Sequence, residues 1–268
     1  MKTLERSIHF LGTGGGGENL RNNSQNSGGF AIQFGKRFIH VDPGVGALLA
    51  RQKLVLEPAD LNTIIATHVH PDHAADAGKI IEHVANQHGK LPLFITSESV
   101  INGYGGGNAA VSREQLEKVA RIEIVPRLVI GQAGHRIEIP TLDGIVVLTA
   151  IPTQHSDTTC FGFVIEMDGK RIGYTSDTEY FGELPAYYSK CDVLIANNMR
   201  PDAGGGLEGH LYTDTTAQLL KESGVQSAII THFGVTMEKA GPKEEAKKIQ
   251  ERTGVIVTAA REDMRVEF

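Results

Sequence analysis

Residues 63–76 read TIIATHVHPDHAAD. Thr63 to Ala66 is an apolar, β-prone run, and His68, His70, Asp72 and His73 follow it within six residues. Pro71 marks where an extended chain turns into a helix, since proline is tolerated at a first helical position. In extended backbone, residues two apart point to one side, so His68 and His70 share a target. Asp72 and His73, on the first helical turn, aim back at the same region. Imidazole nitrogens and carboxylate oxygens are the ligands zinc takes at sites open to substrate. The stretch therefore predicts a buried strand, a metal-ligating loop and a helix, in that order.

One loop cannot place all four donors on a single tetrahedral ion that keeps an open position, so further donors are expected at strand ends. Three residues fit. His155 follows the run Ile145–Ile151 in TAIPTQHSDTT, Asp177 follows Arg171–Thr175 in RIGYTSDTEY, and His232 follows Ser227–Thr231 in SAIITHFG. Each closes an apolar run where short connections converge.

The surrounding pattern alternates short strands with helices. β-prone runs are read at 7–11, 30–34, 37–41, 63–66, 92–96, 121–125, 145–150, 160–167, 171–175, 192–196, 227–231 and 255–258. Asp168-Gly169 between two of them is a hairpin signal. Helices are read at 72–88, with Ala77, Ile80, Ile81 and Val84 on one stripe ending at Gly89. They are read also at 213–223, with Thr213 or Asp214 as N-cap, and at 242–252, opened by Pro242. No stretch reads as a linker, so 1–268 is expected to form one domain with helices outside packed sheets.

Gly12 to Gly17 matches G-x-G-x-x-G after the short strand at 7–11. A dinucleotide loop needs a helix next, whose N-terminal amides hold the pyrophosphate. ENLRNNSQNSGG follows instead, with no apolar repeat at helical spacing, so no helix and no dinucleotide are expected. Further glycine clusters at 105–107 and 204–206 read as loops.

Composition sets the bounds. The chain has 268 residues, 40% hydrophobic and 22% charged, as ordinary globular proteins do. No run of 18 apolar residues occurs, and MKTLERSIHF lacks an apolar signal core, so neither a membrane span nor secretion is expected and a cytoplasmic location is read. Cys160 and Cys191 are far apart and read as buried thiols. A net charge of −6 without a basic block disfavours nucleic acid as a partner. A small anionic substrate held by metal fits better.

The order THxHxDH, a lone His, SDT and then THF resembles the metallo-β-lactamase-fold hydrolases, over nearly the whole chain from LGTGGGG to Arg265–Phe268. The resemblance implies an α/β fold, a four-layer αβ/βα sandwich, with two divalent metal ions at one edge: zinc, or manganese or iron. It implies His68, His70 and His155 on one ion, Asp72, His73 and His232 on the other, Asp177 bridging, and Asp42 of HVDPG supporting the histidine loop. LGTG with a Gly/Asn-rich loop resembles the phosphodiesterase branch, which includes ribonuclease Z and cyclic phosphodiesterases. There the loop borders the metal site, and backbone amides of Gly14 to Gly17 are expected to approach a substrate phosphate, with Gly15 and Gly16 as the candidate substrate-binding residues. GHLYTDTTA at 209–217 resembles the segment that supplies this branch with an extra histidine, here His210. His210 is then expected either to protonate the leaving oxygen or to hold a phosphoryl oxygen; with Asp72 it is a candidate catalytic residue, and Arg200 is the candidate phosphate-binding cation. His9, His40, His83, His88 and His135 read as strand or surface histidines.

The function implied is hydrolysis of a small or cyclic phosphodiester by a hydroxide shared between two metal ions. Alternative readings are a lactone or thioester hydrolase with the same dinuclear site, and a metal-binding protein without turnover. Ribonuclease Z itself is disfavoured, because no basic arm for transfer RNA is present. Segment 98–120 is expected to wall the pocket or to form the contact of a homodimer.

Overall fold

The computed structural model describes residues 6–22, 25–53, 58–142, 144–202 and 208–268, so the glycine cluster at 204–206 lies outside the described residues. Six strands come first: β1 (Arg6–Phe10), β2 (Phe30–Phe34), β3 (Arg37–Val41), β4 (Leu61–Ala66), β5 (Leu91–Ser97) and β6 (Val119–Val125). They are followed by β7 (His135–Thr141), β8 (Gly144–Pro152), β9 (Phe161–Met167), β10 (Lys170–Tyr174) and β11 (Val193–Arg200). The last four are β12 (Leu211–Tyr212), β13 (Ser227–Thr231), β14 (Ile256–Ala259) and β15 (Arg265–Glu267).

The order in the first sheet is β15-β1-β2-β3-β4-β5-β6, and in the second β14-β13-β11-β10-β9-β8-β7, with β12 paired to β11. Each sheet starts antiparallel and ends parallel. In the first, β1, β2 and β3 pair antiparallel and β3, β4, β5 and β6 pair parallel. In the second, β7 to β10 pair antiparallel, while β10, β11, β13 and β14 pair parallel. Ligand sites in open sheets gather beyond the carboxyl ends of parallel strands. Those ends in both sheets supply the residues described below.

Strand periodicity fixes the layers. Ile65 faces an apolar cluster shared by both sheets, while its neighbour Ile64 faces a second cluster outside the first sheet. Likewise Ile195 points between the sheets and Leu194 away from them. Three apolar interfaces, helix on sheet, sheet on sheet and sheet on helix, make the αβ/βα sandwich expected from the resemblance. Truncating a fully buried isoleucine in such layers costs about 2–5 kcal/mol.

The helices are α1 (Gly17–Asn22), α2 (Ala47–Lys53), α3 (Pro71–Ala74), α4 (Ala77–His88), α5 (Glu98–Asn102), α6 (Arg113–Leu116), α7 (Leu184–Tyr187), α8 (Thr213–Ser223), α9 (Val235–Ala240) and α10 (Pro242–Thr253). Helix α4 buries Ala77, Ile80, Ile81 and Val84, as its spacing predicts. The single helix expected over 72–88 is corrected to two. Asp76 breaks it, its carboxylate accepting from Gly46 N (3.0 Å) and Leu48 N (3.3 Å) at the start of α2. The absence of a helix after Gly17 is also corrected. Helix α1 is held from outside, Asn19 Nδ2 donating to Phe233 O at 3.0 Å, so a polar sequence is ordered by tertiary contact. Strand β7 and the two-residue β12 were not expected. The N-cap of α8 is Tyr212, and the Thr213 hydroxyl donates to Glu245 at 2.7 Å. Asp168 and Gly169, at φ 48° and 77°, close the β9–β10 hairpin as read. No helix among the described residues is long and apolar enough to cross a membrane.

Candidate metal centre

Seven donors converge in two groups, His68, His70, His155 and Asp177 in one and Asp72, His73 and His232 in the other. Within each group the ligand atoms lie within 4.8 Å of one another. His68 Nε2 and His155 Nε2 stand 3.1 and 3.2 Å from His70 Nδ1. His73 Nε2 and His232 Nε2 are 3.0 Å apart. Ligand nitrogens on a tetrahedral zinc with bonds of about 2.0–2.1 Å are about 3.3 Å from each other. The spacing is that of ligands, not of packed rings.

The outward nitrogens decide which face the cluster. His155 Nδ1 meets Gly209 O at 3.0 Å, and His73 Nδ1 meets Asp42 Oδ2 at 2.8 Å. Both partners only accept, so each Nδ1 carries a proton and each Nε2 is the nitrogen left to face a cation. Asp177 spans the groups: Oδ2 lies 3.8 Å from His68 Nε2 and 3.3 Å from His73 Nε2, and Oδ1 is 3.3 Å from His232 Nε2. Asp72 Oδ2 lies 3.3 Å from His232 Nε2 and 3.7 Å from His73 Nε2.

Electrostatics separate the two groups. Burial pushes the His68 imidazole well below its usual range, helped by His73 and His155. Burial likewise lowers His70, and lowers His155 to about 4. These rings are neutral and ready to ligate, since metal must otherwise displace a proton. Burial also opposes charge on His73, but Asp177, Asp42 and Asp72 outweigh it and hold that ring well above its usual value. For Asp177, burial works upward, yet His232, His73 and His210 keep the carboxyl well below the normal range. Three buried carboxylates around one ring call for positive charge, which a divalent cation supplies. The donor set fits divalent metal, and each of the two groups has the donors to hold an ion.

Asp42 is the hub of the support. It accepts from Thr67 N (2.8 Å), Thr67 Oγ1 (2.9 Å) and Tyr174 Oη (2.8 Å) besides His73. Asn197 Nδ2 donates to Tyr174 Oη (3.2 Å) and to Asp177 Oδ1 (2.7 Å), joining the hub to the spanning carboxylate. Asp42, Ser176 and His232 have φ of 48°, 52° and 64°. Non-glycine residues there cost about 1–3 kcal/mol each and persist where surrounding structure over-determines them. All three stand within or directly beside the donor set.

The glycine loop laces the sheets together. Gly14 forms a bridge with Phe233, Phe233 N donates to Thr13 O (2.6 Å), and Gly15 N donates to Phe233 O (3.0 Å). Gly14 N is engaged by Asn26 O (3.0 Å) and Gly16 N by Asp72 Oδ2 (2.6 Å). The amides of Gly15 and Gly16, expected near a substrate phosphate, thus have protein partners in this structure, while both residues line the cavity described below. Their smallness has another cause: a Cβ on Gly15 would overlap the His232 ring, and one on Gly16 the Met199 methyl.

His210 Nε2 lies 3.2 Å from Asp177 Oδ2, and its Nδ1 is 3.3 Å from Glu208 O. Burial lowers this ring, but Asp177 overrides it and the net shift is upward. A cavity of about 510 Å³ opens here, lined by His70, Asp72, Asp177, His210, Arg21 and Arg200 among others. Arg200 is thus placed beside the donors. Segment 98–120 lines neither this cavity nor the one beyond His155.

A family model described as a Beta-lactamase superfamily domain matches residues 37–233. The chain belongs to that superfamily. An uncharacterized protein of Methanocaldococcus jannaschii is 31% identical over 264 residues, 97% of this chain and 94% of that one. The superfamily relative YhfI of Bacillus subtilis, a probable metallo-hydrolase, is 25% identical over 217 residues, 77% and 81% of the two chains. Its crystal structure, described as a metallo-beta-lactamase fold protein, aligns at TM-score 0.71 over 99% of this chain and 100% of that one, with 20% identity. Ribonuclease Z of Mycobacterium bovis (strain BCG / Pasteur 1173P2) is 24% identical over 237 residues, 80% and 81% of the chains.

All seven expected donors meet at this superfamily site. Sequence reasoning missed Tyr174, Asn197 and Asp157. The buried Asp157 carboxylate receives Val69 N at 3.2 Å and so ties the histidine loop to the connection carrying His155. Its position two residues after His155 was the available signal.

Proposed function

We propose that this chain is a metal-dependent hydrolase acting on a small phosphodiester. The observation that carries the reading is His210, which stands between the donor cluster and an arginine-lined cavity with an oxygen acceptor facing each ring nitrogen. That arrangement suits a protonated imidazole, the form a general acid needs. When bound, two divalent cations lower the pKa of a water to about 7 and neutralise charge on phosphoryl oxygens.

The chain's own groups do the rest. His68, His70, His155 and Asp177 would hold one ion, and Asp72, His73 and His232 the other, with Asp177 reaching both. Asp42 keeps the proton of His73 on Nδ1, and Gly209 O does the same for His155. Arg200 and Arg21 line the cavity where a phosphoryl group would present its negative oxygens. His210 would give its Nε2 proton to the departing oxygen, a contribution of about 10²–10⁴-fold. Relatives named ribonuclease Z and metallo-hydrolase support the reading.

The test offers metal-replete protein bis-p-nitrophenyl phosphate, cyclic phosphates and lactones, with and without chelator. Phosphodiester turnover abolished by chelator is expected. A preference for lactones would replace the phosphodiester reading, and silence on every panel would leave a metal-binding protein.

A further inference from the structure

Beyond His155 lies a second cavity, of about 700 Å³, that the proposed chemistry leaves unused. His155 forms part of its wall, so it reaches the donor cluster at a different residue from the cavity lined by Arg200, with which it shares no lining residue. Its character differs from the first. The arginine-lined cavity carries Arg21 and Arg200 against Glu18, apart from the donors. The second carries Leu128, Val129 and Ile130 beside the uncharged polar Thr153, Gln154, Ser156 and Thr158, with Arg127, Glu179 and Glu208 as its charged residues.

The apolar wall is built rather than incidental. Leu128 packs onto the core between the sheets and Ile130 onto the cluster outside the second sheet. Val129 between them is 53% exposed. The turn is pinned, with Gln132 N donating to Val129 O (3.1 Å) and Gly131 N to Tyr187 Oη (2.8 Å). An ordered loop thus presents a valine to a cavity that ends at a metal-ligating histidine.

We infer that this cavity is a subsite for an uncharged, partly apolar organic arm of the diester, with the phosphoryl group at the donors. The inference rests on the phosphodiesterase reading and extends it: the substrate is asymmetric, anionic towards Arg200 and uncharged towards Val129. Glu179 and Glu208 disfavour a second anionic group on that arm.

The test uses the zinc-loaded 268-residue chain and methyl, butyl and 3-carboxypropyl p-nitrophenyl phosphates. Each buried methylene is worth about fourfold, so kcat/KM is expected to rise at least about tenfold from methyl to butyl. The 3-carboxypropyl ester should lose most of that gain. Val129→Asp should bring the butyl-to-methyl ratio back towards one, whereas Leu142→Asp, 74% exposed at the β7–β8 turn, should not change it. A ratio near one in the unmodified protein, or a ratio indifferent to Val129→Asp, overturns the subsite. If neither ester turns over, the phosphodiesterase reading fails and calorimetry with butyl and methyl phosphate decides the subsite. Tighter butyl phosphate binding that Val129→Asp removes upholds it, and equal binding ends it.

Discussion

In the first sheet, four donors come from the six residues His68 to His73 that follow β4. In the second sheet, His155, Asp177 and His232 arrive singly, after β8, β10 and β13, and His210 immediately before β12. Chain connectivity holds the first set together. The second set is aligned by strand register, where a slip of one residue turns a side chain to the opposite face. Asp177 and Asp42 join the two constructions, one by reaching both donor groups and the other by receiving bonds from both sheets.

Asp177→Ala gives the hardest test of that contrast. If each donor group holds one ion, as proposed, metal content is expected to fall from two ions per chain to one or fewer, with activity lost beyond the roughly 100-fold typical of supporting residues. Elemental analysis that still finds two ions would show that the groups do not depend on each other. His210→Ala should keep both metals and lower kcat by about 10²–10⁴-fold. Near-normal turnover would remove His210 from the chemistry.

Smaller effects probe the supports. Tyr174→Phe, from the second sheet, and Thr67→Val, beside the local loop, each take one bond from Asp42. Both should weaken metal binding by about 10–100-fold in competition with a chromogenic chelator. An effect from only one would mean that Asp42 belongs to one half. Gly15→Ala should be milder, because overpacking against His232 costs about 1–3 kcal/mol. It should weaken one ion by about tenfold and spare the other, and equal loss of both would contradict separate groups.

The same contrast explains what was legible. HVHPDH could be read because its donors are local and strand, proline and helix follow in order. His155, Asp177 and His232 could be read as polar residues closing apolar runs, and the αβ/βα sandwich followed from the family pattern. Tyr174 ends β10 and Asn197 lies within β11, where only the pairing of strands reveals what they touch. Helix α1 was missed because Asn19 is anchored to Phe233, 214 positions away. Strand β7 alternates buried Ile137 and Ile139 with exposed residues, but Pro140 obscured it; as an edge strand it tolerates the missing donor. The valine-lined cavity arises from a turn whose flanks pack in different layers, which spacing does not record.

The bridge from Gly14 to Phe233 bears on the order of events during synthesis. A chain emerging from the ribosome displays His68 to His73 early, but the wall behind His232 closes only after residue 233 is free. The second donor group, which needs His232, is therefore complete only once nearly the whole chain has emerged, and any cation it takes is expected to be taken late.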